Sequence, residues 1–155
     1  MQKATKVVTW VLVGLVSASL WAVALGIWGR GRTGYAFPDG DLPAHLAGRW
    51  DWSTEAHPCG PSAHVISFAD DRRTMTLAKA ASGADTGWTA TYDILELSPS
   101  RLRGAIRGES RRTEAGVPVV WDLIMFGPDE YTWHRTDWGA WEYTPTVRRC
   151  GVTNQ

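Results

Sequence analysis

Residues 101–109 read RLRGAIRGE and show the clearest two-residue periodicity in the chain. Leu102, Gly104, Ile106 and Gly108 are apolar or small, whereas most positions between them carry arginine or glutamate. Successive side chains of a β-strand point to opposite faces, so this pattern predicts a strand with one buried face and one face in water.

Seven further short runs share this character, and turn residues such as Asp, Gly and Pro separate them. In one run His64, Ile66 and Phe68 alternate with smaller residues. Residues 119–126 are almost continuously apolar, which predicts a strand that is covered on both faces. The predicted strands lie at residues 48–53, 64–68, 74–78, 88–94, 101–109, 119–126, 131–137 and 141–149.

Eight sequential strands predict an all-β, antiparallel up-and-down barrel, because closure removes the exposed edges of the sheet. A sandwich of two sheets is the alternative. Pro145 lies inside the last predicted strand and has no N–H to donate, which indicates a bulge or an imperfect seam at that point.

The N-terminal part of the chain has a different composition. Residues 7–28 carry no charged side chain, and as a helix they would span about 33 Å, close to the thickness of a bilayer core. The sequence predicts a transmembrane anchor at residues 1–28, a Gly/Pro-rich linker at residues 29–45 and a barrel domain at residues 46–155. A cleaved signal peptide is the alternative, since residues 22–24 (Ala-Val-Ala) fit a cleavage site.

Small residues recur at every fourth position of the predicted anchor, at Gly14, Ala18, Ala22 and Gly26. On a helix they would form a ridge that lets a second transmembrane helix approach closely. The ridge predicts an integral membrane protein as a partner, in addition to the lipid bilayer.

The chain has two cysteines, Cys59 and Cys150, which bracket nearly the whole β region. We predict a disulfide between them, which requires an oxidising compartment. The domain is therefore expected in a bacterial periplasm, on the C-terminal side of a single-pass anchor in the inner membrane. Two unrelated buried thiols are the alternative. The balance of 16 basic and 16 acidic residues argues against nucleic acid as a partner.

Three short motifs follow one another along the predicted barrel domain. Gly48-Arg49-Trp50 opens the first strand as a G-x-W motif, Thr136-Asp137-Trp138 resembles the T-D-aromatic motif of a late turn, and Arg148 or Arg149 lies in the last strand. Residues 46–150 thus resemble a lipocalin-like (calycin) small β-barrel, in a membrane-anchored bacterial variant.

The resemblance implies that the arginine packs across Trp50 to close the barrel base. It further implies that the mouth of the barrel binds small hydrophobic molecules, although fold alone does not define function. The chain departs from the family in its smaller barrel, its lack of a C-terminal helix and Pro145 in the last strand.

Signals for catalysis are weak. A G-x-S-x-G motif is absent, and His57, Cys59 and His64 match no standard zinc spacing. Haem ligation by His134 and a carboxylate pair that includes Asp122 are less favoured alternatives. We therefore predict a non-catalytic protein without metal or cofactor.

Ten tryptophans are more than a core of this size needs, so some are expected at a pocket or an interface. The candidate residues for binding a ligand or a partner are Trp88, Tyr92, Trp121, Tyr131, Trp133, Trp138, Trp141 and Tyr143. Two functions fit this pattern: a membrane-tethered binder of a small hydrophobic ligand, and an accessory subunit that docks its helix into a larger membrane complex.

Overall fold

The computed structural model describes residues 34–52 and 59–151. The predicted anchor, its ridge of small residues and the beginning of the linker lie outside these ranges. Within the described residues, helices of the length and hydropathy needed to cross a bilayer do not occur.

Eight antiparallel strands follow one another around a closed barrel, and the last strand pairs with the first. This confirms the predicted up-and-down barrel and excludes a two-sheet sandwich. The strands are β1 (Gly48–Trp52), β2 (His64–Phe68), β3 (Thr74–Lys79), β4 (Trp88–Leu97), β5 (Arg101–Ile106), β6 (Trp121–Gly127), β7 (Glu130–Arg135) and β8 (Val147–Arg149).

The predicted alternation on β5 is confirmed. Leu102 points into the barrel and is fully buried, whereas Arg103 lies on the outer face and holds the carboxylate of Asp122 with two hydrogen bonds of 2.8 and 3.0 Å. The strand ends at Ile106, earlier than predicted, because Gly108 takes a positive φ of +78° in the following turn.

Apolar side chains from every strand fill the barrel interior, so the core is continuous around the ring. The most deeply buried among them are Trp50, Ile66, Met75, Leu77, Tyr92, Leu102, Leu123, Met125, Tyr131, Trp133 and Val147.

A short helix, α1 (Leu42–Leu46), contributes Leu42 and Leu46 to the core cluster, and both are fully buried. The side chain of Asp41 caps the helix by accepting a hydrogen bond of 3.2 Å from the Ala44 amide. Phe37 is also buried. The described part of the predicted linker, residues 34–45, therefore belongs to the packed structure around the barrel.

Arg149 and Trp50 close one end of the barrel, which we call the base. The Arg149 guanidinium lies over the Trp50 ring with its Cζ 4.2 Å from the centroid, and it donates to Asp129 Oδ1 at 3.0 Å. The Trp50 indole donates to Leu46 O at 2.8 Å. The expected arginine–tryptophan closure is present, and it uses Arg149; Arg148 pairs with Glu130 on the outer face.

The last strand is shorter than predicted. Residues 141–146 are not in a strand, and β8 covers Val147–Arg149. Pro145 cannot donate to a ladder. Thr144 instead contacts β7 through its amide, which donates to Trp133 O at 2.9 Å, and through its hydroxyl, which accepts from the Trp133 amide at 3.0 Å.

The predicted disulfide links Cys59 to Cys150, with their Cα atoms 5.4 Å apart. The buried Asp51 carboxylate fixes the same loop by accepting hydrogen bonds from the amides of Cys59 at 2.6 Å and Gly60 at 3.1 Å, and from the hydroxyl of Ser62 at 2.7 Å. The two cysteines are thus a bonded pair, and the alternative of two unrelated thiols is wrong.

Candidate functional site

The mouth is the end of the barrel opposite the base, where β1, β3, β5 and β7 end and the other strands begin. The strand pairing and the alternation of side chains define which residues face inward there. These residues are Trp52, His64, Lys79, Trp88, Ile106, Trp121 and Arg135.

Three of the predicted ligand-binding aromatics fill the barrel below the mouth. The rings of Tyr92 and Trp133 are stacked with centroids 5.0 Å apart, and Tyr131 meets Trp133 edge-on at 6.1 Å. All three are buried. They form an aromatic floor across the barrel. The space for a ligand is therefore between this floor and the open end of the mouth.

Trp121 extends the floor towards the rim. Its ring meets Trp133 at 6.2 Å and Trp138 at 5.5 Å, both edge-on. Arg111 and Arg135 both lie over its face, with Cζ at 5.6 and 5.9 Å from the centroid. Trp121 and Trp138 are therefore at the mouth.

His64 is the most unusual polar residue of the mouth. It is 1% exposed and lies between two indoles, with ring centroids 6.2 Å from Trp52 and 6.0 Å from Trp88. Trp88 is 42% exposed. A polar ring in the barrel interior is therefore separated from solvent mainly by aromatic side chains.

The protonation of His64 follows from its surroundings. Burial lowers the pKa of His64 to about 4, and burial raises the pKa of Tyr131 well above its usual value. Both groups are neutral at pH 7. Among the described residues, His64 Nε2 at 2.6 Å is the one hydrogen-bond partner of the buried Tyr131 hydroxyl, so we assign the hydroxyl as the donor and His64 Nε2 as the acceptor, which leaves no buried O–H unpaired. The remaining imidazole proton is then on Nδ1.

Three buried side-chain polar atoms in the described ranges have no hydrogen-bond partner: His64 Nδ1, Trp121 Nε1 and Thr113 Oγ1. His64 and Trp121 face inward at the mouth, and Thr113 lies in the connection between β5 and β6 above it. Buried polar groups are normally paired, because an unpaired group costs about 1–3 kcal/mol. Their concentration at the mouth marks this end of the barrel as the candidate site.

The charges around the mouth are paired locally. Lys79 pairs with Asp85 in the β3–β4 hairpin, Arg111 with Glu109 after β5, and Arg135 with Asp137 after β7 at 2.8 Å. The hydrogen bonds from Arg111 lower the pKa of Glu109 to about 2, so this carboxylate is charged at all ordinary pH values. These cations and anions balance one another.

A cleft of about 690 Å³ lies between the β5–β6 and β7–β8 connections. We call it the rim cleft. It is lined by Arg112, Thr113, Glu114, Ala115, Val117, Arg135, Thr136, Asp137, Trp138 and Glu142. The cleft gives the mouth an open side next to Thr113, one of the three residues with an unpaired polar atom.

The two remaining predicted aromatics are in the β7–β8 connection and do not face into the barrel. Trp141 is 64% exposed, and Tyr143 contacts Phe126 and His134, with ring centroids 5.9 and 5.3 Å away. His134 lies on the outer side of β7, opposite in orientation to its neighbour Trp133. The structure thus splits the predicted aromatic set into a mouth group and an outer pair.

Trp52 and His64 are not among the ligand-binding residues predicted from the sequence. Both belong to runs whose alternation was visible: Trp52 follows Trp50 by two positions, and His64 precedes Ile66 by two. Inward orientation of both residues was therefore predictable. Their proximity was not, because it depends on the pairing of β1 with β2.

Among the described residues, there is no group of three or more His, Cys, Asp or Glu side chains that could hold a metal ion. Of the weak candidate cluster, Cys59 is in the disulfide and His57 lies outside the described ranges.

The Thr136-Asp137-Trp138 motif lies in the connection between β7 and β8, where the resemblance placed it. It is at the mouth, whereas Trp50 and Arg149 are at the base. It therefore takes no part in the arginine–tryptophan closure and instead lines the rim cleft.

Compared with known protein families, curated proteins and solved structures, the chain matches none of them. Its class rests on the structure: a closed barrel of eight antiparallel strands with a disulfide and a cluster of aromatic side chains. This architecture is compatible with a lipocalin-like fold.

Proposed function

We propose that the protein is a non-catalytic, lipocalin-like binding domain, held on the outer side of a bacterial inner membrane, which takes a small hydrophobic molecule at its mouth. The observation that carries the proposal is the set of unpaired polar atoms at the mouth, on His64, Trp121 and Thr113. A bound molecule would satisfy them and cover the neighbouring indoles.

The compartment is supported by the disulfide, because such bonds persist in oxidising surroundings. The membrane attachment is supported by the uncharged residues 7–28. A topology reporter at the C-terminus and thiol labelling of protein from its native host test both points. A cytosolic reporter or two free thiols would contradict the proposed location.

Binding is tested with the full chain in lipid nanodiscs and the uncharged probe N-phenyl-1-naphthylamine, whose fluorescence rises in apolar surroundings. Trp88→Ala removes an indole at the mouth, and Tyr143→Ala removes an aromatic ring that packs on the outer side of the barrel against Phe126 and His134. Loss of an aromatic contact of this kind costs about 1.5 kcal/mol, so we expect about tenfold weaker binding for Trp88→Ala only.

Empty nanodiscs give the background in this experiment. The proposal fails if the wild type shows no signal above this background. It fails equally if the two substitutions weaken binding to the same extent, since Tyr143 lies on the outer side of the barrel.

A second candidate function is that of an accessory subunit of a membrane complex. It is favoured by large apolar side chains that are exposed to solvent, Trp141 at 64% and Leu95 at 59%. The test is co-purification of a partner in mild detergent from the native host. Loss of the partner in the double variant Ala18→Leu/Ala22→Leu supports docking through the helix, and a monomeric wild type contradicts it.

A further inference from the structure

The unpaired groups of the mouth identify the kind of polar atom that a ligand must bring. The indole Nε1–H of Trp121 can only donate, and the Nδ1–H of His64 is a donor because its Nε2 accepts from Tyr131. The hydroxyl of Thr113 can do either. A ligand that satisfies the two N–H groups must therefore carry at least one hydrogen-bond acceptor.

The charges of the mouth indicate that this acceptor is not an anion. Lys79, Arg111 and Arg135 each have a carboxylate partner in the same connection. The side chains of Lys79 and Arg135 are only 16% and 19% exposed, so a carboxylate ligand would have to replace an existing partner of a shielded cation. That exchange gains little.

The rim cleft does not change this balance. Arg112 lines it, but Glu114 and Glu142 line the same cleft. An anionic ligand would meet these two carboxylates as it approached. A cationic ligand would meet two unpaired N–H groups, which cannot accept its protons.

Resting on the proposed binding function, we infer that the ligand is an uncharged molecule with an apolar, ring-sized body and a carbonyl or ether oxygen. The body packs against the indoles of Trp52 and Trp88, and the oxygen accepts a hydrogen bond from His64 Nδ1–H. Trp121 Nε1–H offers a second donor for a molecule that reaches across the aromatic floor.

The experiment uses four naphthalenes that share one ring system and differ in a single substituent: 2-acetonaphthone, 2-ethylnaphthalene, 2-naphthoate and 2-naphthylmethylammonium. Equilibrium dialysis against the full chain in nanodiscs, corrected with empty nanodiscs, gives the four affinities at pH 7. We expect the ketone to bind about fivefold more tightly than the ethyl compound, as for one net hydrogen bond, and the two ions to bind more weakly than the ketone.

His64→Phe removes the Nδ1 donor and keeps a ring of similar size. We expect it to abolish the preference for the ketone while the ethyl compound still binds. His134→Phe is the matched control on the outer side of β7, and it should leave the preference unchanged. The ranking of the four compounds on the wild type needs no variant, so the inference stays testable if His64→Phe does not fold.

The outcomes separate the inference from the function on which it rests. If naphthoate binds best, or the ketone and the ethyl compound bind equally, the inference is wrong and mouth binding stands. If none of the four compounds binds above the background of empty nanodiscs, both are wrong.

Discussion

Replacing Arg149 by methionine is expected to destabilise the barrel far more than the same change at its neighbour Arg148. Arg149 lies over Trp50 at the base and donates to Asp129 and to the backbone oxygens of His45 and Ala47. Arg148 is 51% exposed, and its guanidinium pairs with Glu130. Methionine keeps an apolar stem at both positions and removes the charge and the donors.

The magnitude follows from the interactions that the substitution removes. A partly shielded cation–π interaction contributes about 1 kcal/mol, and leaving the partly buried His45 carbonyl without its donor costs about another 1 kcal/mol. The hydrogen bonds to Ala47 O and Asp129 are exposed or half-exposed and add little. We expect Arg149→Met to cost about 2 kcal/mol and Arg148→Met to cost less than about 0.5 kcal/mol.

The assay is urea unfolding of the full chain, monitored by tryptophan fluorescence. The midpoints of the two variants are compared on the condition that the dependence of the unfolding free energy on urea concentration is the same as in the wild type. For a domain of this size about 2 kcal/mol shifts the midpoint by about 1 to 1.5 M urea. Equal shifts for the two variants would refute the reasoning, because they would show that the contact of Arg149 with Trp50 does not close the base.

Three further predictions concern the loops and the mouth. Because the disulfide joins residues 91 positions apart, replacing both cysteines by serine is expected to lower the free energy of unfolding by about 4.5 kcal/mol relative to the oxidised wild type. A decrease below about 1 kcal/mol would contradict the idea that the bond constrains the unfolded chain. The pKa of His64 is about 4 in the folded protein against 6.5 in the unfolded chain. The stability contributed by the neutral imidazole is therefore complete above pH 6.5 and declines as the pH falls towards 4. Between pH 7 and pH 5 the wild type should lose about 2 kcal/mol more stability than His64→Phe, and parallel pH profiles of the two proteins would contradict the neutral imidazole. Gly87→Ala should lower the melting temperature clearly more than Gly83→Ala. Both glycines have a positive φ, but a Cβ at Gly87 would lie 2.6 Å from Lys79 O, whereas a Cβ at Gly83 would meet open space. Similar decreases in the two variants would show that the hairpin adjusts to the added methyl group.

Much of the barrel could be predicted from the sequence, because a strand with one solvent-exposed face alternates apolar and polar residues, as Leu102 and Arg103 do. The last strand was predicted too long because residues 141–144 also look like a strand in isolation. Their actual contacts depend on Pro145, which ends the ladder, and on Thr144, which bonds to β7 across the seam. Pairing across a seam is a long-range property that local patterns do not contain.

The candidate site was predictable in composition and not in arrangement. The aromatic residues of the mouth, except Trp52, are among the residues predicted from the sequence. The sequence does not distinguish Trp133, which packs into the floor, from Trp88, which remains 42% exposed. Trp141 resembles both in sequence and is 64% exposed in the β7–β8 connection. The inward orientation of His64 follows from its strand pattern, yet its hydrogen-bond partner Tyr131 is 67 positions away.

The seam between β1 and β8 also sets the order in which the protein can mature. The backbone of β1 acquires its second neighbour only through residues 147–149, so two ribbons of unsatisfied peptide groups persist until these residues have been synthesised. At ordinary translation speeds that interval is on the order of ten seconds. A premature stop codon shortly before Val147 would therefore leave an open sheet with two unpaired edges that are prone to aggregation. A chaperone that shields strand edges would be needed most before residues 147–149 have been synthesised.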